Sequence, residues 1–143
     1  VERTGIDVDA WLASVGGATG EALRALDALI APEFAGLERA LWRGVFWGGT
    51  DQDIVGYGAI RQERPRGASV DWFLVGLAAQ AKHFSVYVNA VDDGEYLVRR
   101  LAPTLGRVKV GAAAVTFASP DRLDRDGFVA MLRQTRALAT DVR

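Results

Sequence analysis

Two spacings of apolar side chains divide this chain. In residues 7 to 15 they recur at helical intervals, with Val8, Trp11, Leu12 and Val15 on one side and Asp7 placed to cap the first turn. Gly16 and Gly17 end that run. A second helix is predicted over residues 20 to 31, capped by Thr19 and stopped by Pro32, with Ala22, Leu23, Leu26, Leu29 and Ile30 forming its stripe. From Leu37 the period falls toward two, and aromatic and β-branched residues gather between Gly and Asp clusters. Strands are predicted over 39 to 47, 53 to 61, 70 to 77, 83 to 89 and 113 to 117, the first two joined by a turn at 48 to 52. Residues 62 to 69 are polar and read as a mobile loop. The strand at 83 to 89 is the clearest. Phe84, Val86 and Val88 point to a core while His83, Ser85, Tyr87 and Asn89 face water. Asp92, Asp93 and Glu95 read as a turn and capping box opening a helix that Pro103 must kink or split. The last helix is predicted over 125 to 140, capped by Asp124, with Phe128, Met131, Leu132 and Leu138 inward.

The order of these elements predicts an α+β fold: an antiparallel sheet of about five strands with the N- and C-terminal helices packed on one face. Residues 1 to 143 form one domain, with neither repeat nor linker. Composition narrows the chemistry. The chain has no Cys, which removes disulfides, thiolate metal sites and cysteine nucleophiles. Together with the absence of a leader pattern or a bilayer-length apolar run, this makes the cytoplasm the expected location and a membrane role not expected. With 17 basic and 18 acidic residues, no net field draws the protein to nucleic acid, although Trp42, Trp47 and Trp72 are residues on which a base could stack.

Five motif segments resemble the YdhG-like proteins, a bacterial family of unknown function, over residues 22 to 138. They are Leu41-Trp42 with Phe46-Trp47-Gly48-Gly49-Thr50, then Ile54-Val55-Gly56-Tyr57-Gly58, and Asp71-Trp72-Phe73-Leu74-Val75-Gly76-Leu77. Gln80-Ala81-Lys82-His83-Phe84-Ser85-Val86-Tyr87-Val88 and Leu105-Gly106-Arg107-Val108-Lys109-Val110-Gly111 complete the set. The resemblance implies helices on a curved antiparallel sheet, a frataxin-like frame. For some relatives it implies an iron-donor role through clustered helix carboxylates. In this chain the corresponding helix carries Glu21 and Asp27 with Arg24 between them.

Candidate sites are few. His83 is the only histidine, so a metal centre of imidazoles is not expected, and neither is any other cofactor. Gly56, Gly58 and Gly76 inside strands signal a close backbone approach that would hollow the sheet. Lys82 and Lys109 are the only lysines of a chain that otherwise writes its positive charge as Arg. If their strands are neighbours, both amines reach one mouth of the sheet beside His83, Tyr87, Tyr57 and Trp72, suited to a small anion with aromatic walls. The expected function is therefore a non-catalytic module binding a small anion or a protein partner, with a homodimer through exposed sheet edges also open. The alternatives are the iron-donor role, and a small enzyme that moves protons through His83 and Lys82.

Overall fold

The alternating middle of the chain forms one continuous antiparallel sheet. The computed structural model describes residues 1–45, 50–62 and 67–143. In chain order the elements are β1 (Glu2–Arg3), α1 (Val8–Ser14), α2 (Gly17–Ile30), β2 (Arg39–Val45), β3 (Asp51–Gln62), β4 (Val70–Ala79) and β5 (Phe84–Val88). There follow β6 (Val91–Asp92), β7 (Glu95–Tyr96), α3 (Leu97–Leu101), β8 (Lys109–Val110), β9 (Ala114–Phe117) and α4 (Arg125–Leu138). The sheet has seven strands in the order β1-β2-β3-β4-β5-β9-β8. All its pairs are antiparallel. The count exceeds the predicted five because two-residue strands, too short to show a period, close both edges.

Local signals decide some helix ends and tertiary contacts decide others. Asp7 and Asp124 cap α1 and α4 as expected, each accepting from the backbone N–H three residues on, at 2.9 Å. Helix α2 instead begins at Gly17, three residues before the predicted start, and Thr19 caps nothing. Its second turn is pressed against the end of α1, where a Cβ on Gly20 would lie 1.8 Å from the Val15 carbonyl oxygen. Arg24 reaches from the same helix to the Leu12 and Val15 carbonyls at 2.7 and 3.0 Å. The acidic stretch 92 to 95 is a hairpin rather than a capping box. Asp93 and Gly94 have φ of 53° and 77°, the left-handed pair that a two-residue hairpin turn needs, and Tyr96 precedes α3 without a side-chain cap. Trp47, residues 48 and 49 of the turn expected at 48 to 52, and the centre of the polar loop lie outside the described residues, while Asp51 and Gln52 already belong to β3.

The main core lies between the sheet and helices α2 and α4. Leu23, Leu26 and Ile30 of α2, with Phe128, Met131 and Leu132 of α4, are buried against Leu41, Val55, Leu77, Val86 and Val88. Each such side chain contributes roughly 1.5–3 kcal/mol when removed from water. The other face of the sheet departs from the expected wet surface. Trp42, Ile54, Phe73 and Ala78 form a second buried cluster there, with Trp72 and Tyr87 packed on it, and Ser85 is only 3% exposed. Gly56 and Gly76 sit directly opposite each other and leave the space these rings fill. A Cβ on Gly56 would meet the Trp42 indole at 2.6 Å, and one on Gly76 would meet the Phe73 ring at the same distance. The predicted hollow therefore exists in the backbone but is filled by aromatic side chains, Phe73 stacking on Trp72 at 4.6 Å.

Candidate functional site

Three short connections converge at one end of the sheet. The turn between β4 and β5 carries Lys82 and His83 and is closed by the Gln80 N–H donating to the His83 carbonyl at 2.8 Å. Strand β8 places Lys109 opposite Thr116 of β9, which in turn lies opposite Ser85 of β5. The third connection is a backbone clamp. Gly106 bridges to Leu123, and the Arg107 N–H donates to the Arg122 carbonyl at 2.8 Å, which sets those two arginines side by side. Only glycine fits at 106, where φ is +99° and a Cβ would stand 2.3 Å from the Arg122 oxygen. Between these connections lies a cleft of about 640 Å³ whose lining includes Lys82, His83, Arg107, Lys109 and Arg122.

The cationic side chains at this cleft lack the ion pairs and hydrogen bonds that most others among the described residues make. Arg3, Arg39, Arg43, Arg100, Arg133 and Arg143 each hold a carboxylate. Arg24, Arg61, Arg99 and Arg136 donate to a backbone carbonyl or a hydroxyl. The described cations that do neither are Lys82, Arg107, Lys109, Arg122 and Arg125, and all but Arg125 line the cleft. No carboxylate lines it among the described residues. Asp121 lies close enough to Arg122 and Arg107 for their charges to act on it. Its carboxyl is held below the usual range first by the hydrogen bond from Ser119, with smaller contributions from Arg122 and Arg107. Arg122 also has its Nε buried with no hydrogen-bond partner, which is uncommon for a buried donor.

The sequence-derived site residues divide among three places. Lys82, His83 and Lys109 line the cationic cleft together. Tyr87 and Trp72 lie instead on the helix-free face, where with Asn89, Tyr96, Val45 and Val70 they line a separate and mainly apolar cleft of about 630 Å³. There the Tyr87 hydroxyl accepts from the Gln80 amide at 3.2 Å. Burial raises its pKa, opposed by hydrogen bonds with Ser85 and Gln80. Tyr57 belongs to neither cleft. It is 1% exposed on the helix side, where its hydroxyl donates to Asp27 at 2.7 Å. The expected aromatic walls are thus absent from the anion mouth, because the residues meant to supply them alternate to other surfaces. Arg107 and Arg122 are the functional candidates that spacing alone misses. Arg107 lies two residues before Lys109 in the sequence, a usable signal, whereas Arg122 arrives only through the Gly106 clamp.

Few features suit other chemistry. His83 is exposed, and its ring has no hydrogen-bond partner among the described residues, so nothing orients it for proton transfer. No group of three His, Asp or Glu side chains capable of holding a metal ion occurs among the described residues. Asp92 of the acidic hairpin is engaged by Arg100 at 2.6 Å. None of the described helices is long and apolar enough to cross a membrane. Compared with protein-family models, with curated proteins and with solved structures, the chain finds no match in any of the three.

Proposed function

We propose that this protein is a non-catalytic binding module that takes a small anion into the cleft at the end of its sheet. The observation that carries the reading is the set of four permanently charged side chains, Lys82, Arg107, Lys109 and Arg122, lining one cavity without an ion pair among the described residues. Arginine forks and a compact ammonium are the usual donors to phosphate and carboxylate oxygens, and such charge-assisted bonds are roughly twice as strong as neutral ones. His83 adds a further donor when protonated. Membership of the YdhG-like family and a cytoplasmic address belong to the same proposal, supported by the five motif segments and by the helix-covered antiparallel sheet. The iron-donor alternative draws no support from α2, because Asp27 there is engaged by Arg39 and Tyr57.

Thermal unfolding tests the reading directly. Inorganic phosphate or sulfate at about ten times its dissociation constant should stabilise the fold by about 1.4 kcal/mol relative to chloride of equal ionic strength. Lys82→Ala and Lys109→Ala replace exposed side chains and should fold normally while losing most of that stabilisation. Melting curves that coincide with and without the anions would end the proposal.

A further inference from the structure

Resting on the anion reading above, we infer that the ligand carries two or more linked phosphoryl groups, such as inorganic pyrophosphate or the diphosphate of a nucleotide. A single phosphate matches neither the charge nor the layout of the cleft. Four permanent cations line it, and the carboxylate of Asp121 lies close enough to Arg107 and Arg122 to offset part of their charge. One phosphate dianion leaves this cluster positive, whereas a diphosphate brings it near neutrality. The cations also arrive from separate elements. Arg107 and Arg122 stand together on the Gly106 clamp, Lys82 comes from the β4–β5 turn, and Lys109 from the edge strand β8. A cavity of about 640 Å³ is far larger than one phosphate, which cannot touch all of these walls at once. Linked phosphoryl groups can. The paired arginines suit two-pronged contact with one group, and the lysine ammoniums act as point charges on the next.

The test is titration calorimetry on the full chain in buffer containing EDTA, at matched ionic strength, with orthophosphate, pyrophosphate, ADP and citrate. Pyrophosphate should bind at least about tenfold more tightly than orthophosphate. Arg107→Ala and Lys109→Ala, both exposed positions, should narrow that ratio, with unchanged circular dichroism showing that the variants fold. ADP binding as tightly as pyrophosphate, or more tightly, assigns the diphosphate to a nucleotide. ADP failing where pyrophosphate binds assigns it to the free ion. Equal affinity for orthophosphate and pyrophosphate overturns the inference while leaving the anion cleft intact. Citrate matching pyrophosphate overturns it too, since charge alone would then suffice. If none of the four binds, the anion reading itself falls.

Discussion

Removing the carboxylate of Asp27 should destabilise this protein more than any other single change at a polar side chain. Asp27 on α2 accepts from Arg39 Nε at 3.1 Å, from the terminal nitrogen of Arg39 at 2.7 Å and from the Tyr57 hydroxyl at 2.7 Å. Its side chain is 14% exposed, so water cannot replace those donors. Asp27→Ala strands the hydroxyl of Tyr57, itself 1% exposed, at a cost of about 1–3 kcal/mol. It also leaves the half-buried Arg39 with Asp9 alone, a carboxylate 81% exposed and therefore a weak partner. Together the expected loss is about 3 kcal/mol. For 143 residues the unfolding entropy is about 300 cal/mol/K, so each kcal/mol moves the midpoint by about 3 °C, and the drop should be about 9 °C. Tyr57→Phe removes the donor and leaves the ion pair standing, for about 1 kcal/mol or 3 °C. Because the stranded hydroxyl no longer exists in the double variant, Asp27→Ala with Tyr57→Phe should be less unstable than the two losses added, by about 1–2 kcal/mol. Urea unfolding of all four proteins measures that coupling. A coupling of zero, or a loss below about 1 kcal/mol in Asp27→Ala, would refute the reasoning.

Three further outcomes follow from single observations. Gly127→Ala would place a Cβ 1.8 Å from the Thr104 carbonyl oxygen, a backbone atom that cannot swing aside, and should cost about 3 kcal/mol or more. Gly111→Ala, whose nearest neighbour stands at 4.0 Å, should change the urea midpoint little, and similar losses in both would contradict the packing argument. Burial first, then the Asp27 charge, raises the Tyr57 phenol well above its ordinary value. The folded state then keeps a proton that the unfolded chain releases near about pH 10, so stability from this group is complete below that pH and declines above it. Tyr57→Phe should flatten the decline between about pH 10 and 12, and parallel curves would argue against it. Gly106→Ala should separate Arg107 from Arg122 and abolish phosphate stabilisation in thermal unfolding although no cation is removed. Unchanged stabilisation would show that the clamp does not organise the cleft.

What was legible in the sequence was whatever a few neighbouring residues decide. The caps of α1 and α4 are side chains bonding three residues onward, and the inward set Phe84, Val86 and Val88 follows from alternation within one strand. The early start of α2 was not legible, because the contact between Gly20 and Val15 is made in space. The dipeptide Asp93-Gly94 suits a hairpin and a helix entry alike, and only the pairing of Val91 with Tyr96 selects between them. The second aromatic cluster was hidden for a different reason. Alternation on β5 tells which residues share a face, yet it does not tell that Trp42 and Phe73 of other strands lie across that face. The two glycines that make room for them are informative only once they are known to be opposite each other.

The same distinction governs the charge. A formal net charge of −1 properly excludes a long-range field, yet it does not exclude a local one. At physiological salt the screening length is about 8 Å, so a ligand in the cleft responds to the cations lining it and to little else. Seven of the described carboxylates are already committed to arginines elsewhere, among them Glu38 to Arg3, Asp53 to Arg43 and Glu33 to Arg133. A nearly neutral chain therefore presents a concentrated positive site because its remaining charges are sorted, and the sorting is done by backbone geometry. The Gly106 clamp and the β4–β5 turn bring distant cations together without adding a single positive charge. Lys82 and Lys109 stood out by composition, whereas their companions Arg107 and Arg122 became visible only when the backbone set them on the same cavity.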